Sequence, residues 1–204
     1  MKLFLKTLLA FGTITFSTSL HASIKPGVFL SLGIGYDSNG WEQTTENPDN
    51  TAKQSTSTLV TNFSGGYSLG NGFIVGIKYY GETYAYEDEN SGNTSDLTNT
   101  RSTTGVMGGY AMDGLLLQLS YLAISPPNDK ATSSGGTETE YTNGSGFIVD
   151  IAYMFDVGGF MVGPQLSHVQ FDYEKRTINS TEDTNFVKRS ETWIKPQFAV
   201  SAIF

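Results

Sequence analysis

The chain has 204 residues, 38% of them hydrophobic and 13% aromatic, with 12 Lys and Arg against 20 Asp and Glu, a formal net charge of −8. That acidic balance excludes a nucleic-acid binder, because gripping a phosphate backbone needs a cationic footprint. The chain contains no Cys, so a disulfide framework, a thiolate nucleophile and a Cys-ligated metal are excluded as well.

The first residues have the order of a secretory signal. Lys2 and Lys6 supply a positive start, residues 8–16 an apolar stretch too short to cross a bilayer as a helix, and Leu20, His21 and Ala22 lead to Ser23 with a small residue at the cut. Residues 1–22 are therefore expected to be a cleaved signal peptide and 23–204 the mature domain. Twelve Lys and Arg less Lys2 and Lys6 leave ten against 20 Asp and Glu, so the mature charge is −10. No later run of about 18 apolar residues exists, so any membrane span must be made of strands.

Period-two alternation then recurs eight times, over residues 28–36, 59–69, 73–79, 104–112, 115–121, 147–155, 160–166 and 194–204. The first run is typical: Val28, Leu30, Leu32, Ile34 and Tyr36 alternate with Gly, Ser and Phe29. Gly70-Asn71-Gly72, Asp113-Gly114 and Asp156-Val157-Gly158-Gly159 read as tight hairpin turns. Residues 37–55, 87–99, 125–141 and 172–190 read as long, polar, acidic loops. Parity supports this arrangement, since a two-residue turn at Asp113-Gly114 pairs Met112 with Leu115, both apolar.

Alternation does not by itself say which face is outside; a lipocalin-like barrel turns its apolar face inward. Volume argues for the opposite here. The interior of an eight-stranded barrel is only wide enough to be filled by side chains, so the bulky apolar set would overfill it, whereas the Gly- and Ser-rich set fits. Tyr67, Phe73, Tyr110, Tyr153, Phe155, Phe160 and Phe204 cluster by the short turns, and Tyr36, Tyr79 and Tyr121 near the long loops. Two aromatic girdles around an apolar band are what a membrane barrel requires. The expected fold is all-β, an eight-stranded antiparallel transmembrane β-barrel.

With its leader, eight strands, short inner turns and long outer loops, the chain resembles the small outer-membrane β-barrel superfamily, which includes the OmpX-like proteins and the transmembrane domain of OmpA. Phe198, Val200, Ala202 and Phe204 resemble that group's terminal assembly signal, with Ala202 standing where an aromatic is common. The resemblance implies a Gram-negative outer-membrane location, contact with outer-membrane lipid and lipopolysaccharide, use of the barrel-assembly machinery, and a monomer.

The inward parity carries Lys78, Glu82, Arg101, Asp150 and Lys195. Opposite charges in a narrow lumen must pair, because an unpaired ion removed from water is costly. Glu82 with Arg101 and Lys78 with Asp150 are the expected pairs, forming a plug; a gated ion path is the alternative. His168, the single His after residue 22, adjoins Ser167, but adjacent strand residues point to opposite faces and cannot form a dyad. Lipid A deacylases of this architecture place a His and a Ser two residues apart on one face; here Gln170 stands at that position. No catalytic residue, metal site or cofactor is expected. Pro164 and Pro196, on the outward face of strands seven and eight, mark either a bulge or rim position or a lateral seam for lipid. Runs such as Glu87-Asp88-Glu89-Asn90, and Asp96, read as solvated acidic loops rather than a Ca²⁺ site, having no EF-hand spacing. The expected function is non-enzymatic, a structural or cell-surface interaction barrel that presents four acidic loops to an extracellular partner. A lipid-modifying or lipid-transporting barrel acting at strands seven and eight is the alternative, and a narrow ion channel the third.

Overall fold

A computed structural model describes residues 25–44, 51–90, 93–133 and 136–204. The expected signal peptide, residues 1–22, lies outside the described residues. The elements are β1 (Pro26–Thr44), β2 (Thr51–Leu69), β3 (Phe73–Asn90), β4 (Asn93–Met112), β5 (Leu115–Ser133), β6 (Glu138–Thr142), β7 (Ser145–Tyr153), β8 (Phe155–Val157), β9 (Phe160–Tyr173), β10 (Lys175–Ile178), β11 (Thr181–Glu182) and β12 (Arg189–Ile203).

Eight of these close a single antiparallel ring. The order β5-β4-β3-β2-β1-β12-β9-β7 returns to β5 through the β5–β7 ladder, and β8 continues β7 along β9. Closure is made by β1 with β12, from Phe29↔Ile203 to Ile34↔Phe198, and Phe204 adds a reciprocal pair of backbone bonds with Val28 at 3.0 Å. Closing the ring leaves no free edge at this level, which is how a sheet of this size avoids edge-to-edge pairing.

Side chains alternate as the period-two pattern requires, with the apolar set outward. Val28, Leu30, Leu32, Ile34, Phe63, Val75, Ile77, Leu119, Ile151, Leu166 and Phe198 are all exposed, whereas Lys78, Asp150, Ser167 and Gln118 are buried in the lumen. Phe73 packs edge-on against Tyr110 at 4.9 Å and Tyr153 against Phe155 at 5.0 Å at the short-turn end. Asp113 and Gly114 both have positive φ (44° and 83°), the type I′ geometry whose twist matches the flanking strands. Gly158 and Gly159 do the same at 65° and 95°, and Val157 pairs with Phe160, so this turn has two residues rather than the expected four.

The long loops are the main departure from the sequence reading. β1 and β2 pair as far as Thr44↔Thr51, and β3 and β4 as far as Asn90↔Asn93, so most of 37–55 and 87–99 is strand. Within 125–141, β5 runs on to Ser133. Within 172–190, Lys175–Ile178 pairs with Glu138–Thr142 and with Thr181–Glu182 to form a side sheet. These Ser- and Thr-rich extensions show no alternation because, beyond the apolar belt, neither face has to be apolar. Their backbones pair all the same.

On β5 the extension passes through a bulge. From Val106↔Tyr121 to Ser102↔Asn128, β4 advances four residues and β5 seven. Pro126 and Pro127 lie in this stretch, and neither can donate to a ladder.

Gly146 makes room inside the barrel. A Cβ there would lie 2.5 Å from the Phe171 ring, so the aromatic ring occupies the space a side chain would take. Gly146→Ala should cost about 1–3 kcal/mol by overpacking, and less in a Phe171→Leu background. Urea titration of the folded barrel, following Trp fluorescence, measures both; an equal cost in the two backgrounds would contradict the contact.

Candidate functional site

The lumen is stratified. Next to the short turns lies an apolar layer of Phe29, Ile74, Met107, Leu116, Met154 and neighbouring Ala side chains. Phe29 and Leu116, apolar residues on the polar parity, belong here.

Above it is a hydrogen-bonded polar layer. Lys78 Nζ donates to Asp150 Oδ2 at 2.5 Å and to Gln118 Oε1 at 3.3 Å. Asp150 Oδ1 accepts from Ser167 at 2.5 Å and from Gln165 at 3.1 Å. Gln197 donates to the Ser167 hydroxyl at 2.7 Å and accepts from Asn62, also at 2.7 Å. The chain of bonds thus runs through β2, β3, β5, β7, β9 and β12. Ser167 engages Asp150 and two glutamines, and among the described residues no His accompanies it in this layer. His168 is on the other face, exposed between Val149 and Ile194.

A second apolar layer of Val60, Tyr80, Leu122, Ile148, Val169, Phe171 and Tyr173 covers the polar one, with Trp193 and Tyr141 packed against it. At the long-hairpin end sits an ion cluster centred on Arg101. Its guanidinium contacts Glu82 at 2.9 Å, Asp129 at 3.0 Å and Glu191 at 2.8 Å. It also lies 4.3 Å from the Trp193 ring centroid and 5.4 Å from that of Phe171. Lys195 reaches Glu82 at 2.7 Å, and Arg189 reaches Asp129 at 3.2 Å while also contacting Glu191. Among the described residues the cluster therefore holds three cations and three carboxylates, and its central members are removed from solvent. Arg189 stacks 4.2 Å above Tyr141, which packs against Phe186, so the outer hairpins close over the cluster.

The structure thus makes the two expected pairs, Glu82 with Arg101 and Lys78 with Asp150, and places Lys195 beside Glu82. Three members were missed: Asp129 and Arg189 fall in segments read as loops, and Glu191 just outside one. Asp129 could not be found by parity. The bulge adds three residues to β5, an odd number, and so turns an odd-numbered position inward above it where even-numbered positions face inward below.

Pro164 and Pro196 are both exposed on the outward face. The β9–β12 ladder runs without a bulge from Ala202↔Phe160 to Arg189↔Tyr173 and includes Phe198↔Pro164 and Pro196↔Leu166. Being two residues apart, these pairs have the same hydrogen-bonding phase, so both proline nitrogens face away from the shared ladder. The lapses fall on the outer flanks. The strand facing β9 loses pairing between Ala152↔Gln165 and Phe155↔Val162, opposite Pro164, and β1 stops pairing with β12 at Ile34↔Phe198, just before Pro196. The ladder between β9 and β12, which are the seventh and eighth strands of the sequence pattern, is itself continuous.

Ala202 is buried although it has outward parity, flanked by its cross-strand neighbours Leu30 and Phe160; Phe198 and Phe204 are exposed. The side chains of Glu87 to Asn90 and of Asp96 lie outside the described residues. Among the described residues no group of three or more His, Cys, Asp or Glu could hold a metal ion. No family model matches the chain, and a search of curated proteins finds no match.

Removing one member of a buried pair leaves its partner's charge uncompensated, at a typical cost of about 3–5 kcal/mol. Arg101→Gln, which leaves three carboxylates to share Lys195 and Arg189, should cost more than Glu82→Gln, which leaves Arg101 with Asp129 and Glu191. The two should couple in a double-mutant cycle by urea unfolding; additivity would contradict the contact. Lys78→Met with Asp150→Leu should likewise recover most of what either loses alone.

In the outer hairpins, Arg176 donates to Asp183 at 2.8 Å and, with the Asn185 backbone N–H, holds that carboxyl below the ordinary Asp range. Because the folded value is the lower one, the contribution of this contact is present above the ordinary Asp range and lost as pH falls through the depressed value. Hydrogen exchange over residues 175–186 should stay protected through mild acid and open below it, and Asp183→Asn should flatten that dependence.

Proposed function

We propose that this chain is a Gram-negative outer-membrane β-barrel of the OmpX-like or OmpA-transmembrane kind, reached by way of a cleaved leader, with a structural or cell-surface interaction role rather than an enzymatic one. The observation that carries the reading is the inversion of polarity. Large apolar side chains encircle the barrel on its outside, while Lys78, Asp150, Arg101 and Glu82 are buried within. A soluble monomer rarely exposes apolar patches beyond a few hundred Å²; a barrel wrapped in lipid needs such a belt. The aromatic side chains at both margins suit the two interfaces of a bilayer.

In this reading the short turns face the periplasm and the long hairpins face outward, presenting acidic surfaces to an extracellular partner. The stratified lumen favours this role over the narrow channel, because two apolar layers and an ion cluster lie in series along its axis. The lipid-modifying or lipid-transporting alternative at strands seven and eight draws no support from their continuous ladder. Lipid and lipopolysaccharide surround the belt, and the strand ending in Phe198, Val200, Ala202 and Phe204 is the element offered to the assembly machinery.

The folded protein should migrate faster on gels before boiling than after, and should fractionate with the outer membrane; recovery as a soluble periplasmic monomer would overturn the proposal. Deletion of Phe204, which removes the Val28 bonds, should slow assembly. Planar-bilayer recordings should show little steady conductance, and channels of porin size would contradict the filled lumen.

A further inference from the structure

On the outward surface of β2, β3 and β4, at the long-hairpin margin of the belt, three register rows lie one above another. The lower row is Phe63, Tyr79 and Thr104, the middle row Thr61, Gly81 and Ser102, and the upper row Leu59, Thr83 and Thr100. The middle row is small, and Tyr79 and Leu59 stand on either side of it. The result is a groove of about 330 Å³ around Gly81, at the lower end of the range for small-molecule sites. Gly81 forms its floor: a Cβ there would lie 3.0 Å from both the Thr61 Oγ1 and the Tyr79 hydroxyl oxygen.

The chemistry of the lining is uncharged. Thr61, Thr83, Thr100 and Ser102 contribute hydroxyls, Tyr79 a phenol and Leu59 an apolar wall. Glu82 and Arg101 border the groove, but their charged groups are paired inside the lumen. Such a lining can donate to and accept from hydroxyl, ester and amide groups. It offers no cation for a phosphate.

The groove lies where outward residues change from apolar (Val75, Ile77) to hydroxylated (Thr83). In the membrane reading, on which this inference rests, that level is the junction between acyl chains and headgroup in the outer leaflet. We infer that the groove is a binding site for the acyl-linkage region of lipid A, whose chains carry amide, ester and hydroxyl groups at that depth. A glycerophospholipid presents only esters there and would fit the hydroxyl-rich lining less well.

The test compares wild type with two variants, Thr83→Val/Thr100→Val/Ser102→Ala, which removes hydroxyls while nearly preserving shape, and Gly81→Leu, which fills the groove. Each is refolded into vesicles of phosphatidylethanolamine and phosphatidylglycerol doped with lipid A, then released for native mass spectrometry. Wild type should retain lipid A in preference to phospholipid. Both variants should retain it about tenfold less, the first because two or three hydrogen bonds are lost and the second because its side chain occupies the groove. Equal retention by wild type and variants, or equal retention of phospholipid and lipid A by wild type, would overturn the inference. Heat-modifiable migration in the same vesicles reports insertion separately: absence of insertion in wild type would refute the membrane reading, whereas insertion without preference refutes only the groove.

Discussion

A guanidinium removed from water must have its charge met where it lies, and Arg101 is met by carboxylates from three other strands. Glu82 comes from β3, Asp129 from β5 and Glu191 from β12, while Arg101 itself is on β4. Through Lys195 and Arg189 the cluster extends further along β12. Because a buried ion without its partner is costly, these strands can shift relative to one another only if the whole cluster is rebuilt. The planar, permanently charged guanidinium suits this position, since it serves several carboxylates in its plane and leaves its faces to aromatic rings such as Trp193.

The rest of the interior follows from the same scarcity of space and water. With eight strands the lumen is no wider than its own side chains, so each buried charge must be paired within reach. Lys78 and Asp150 do this at mid-height, in a network of glutamine, serine and asparagine side chains. Apolar layers above and below limit the access of water, which would otherwise compete for these bonds. The polar layer and the ion cluster are thus separate, the charges of each paired among its own members. Positions such as Gly146 adjust the local volume, the missing side chain giving its space to Phe171.

The outer surface obeys a different constraint. Its side chains need to satisfy the medium rather than one another, so alternation is strict across the belt and fades beyond it. The two prolines show how the sheet absorbs residues without an N–H. Both sit in one hydrogen-bonding phase of the β9–β12 ladder, leaving that ladder intact and moving the lost bonds to its flanks. The diproline on β5 is accommodated instead by a bulge.

The amino-acid sequence by itself determined the eight-strand count, the parity of each belt strand, the short turns, and the inward placement of Lys78, Glu82, Arg101, Asp150 and Lys195. These follow from a period-two pattern wherever one face must be apolar and the other fit a narrow lumen. Only the tertiary structure decided how far the strands continue, because beyond the belt no face has to be apolar and pairing leaves no periodic trace. It also decided the full membership of the ion cluster. Asp129 reaches the lumen only because the β5 bulge reverses parity, and Glu191 and Arg189 only because β12 runs well past its last apolar residue. Backbone register, which is settled by three-dimensional pairing rather than by local composition, made that difference.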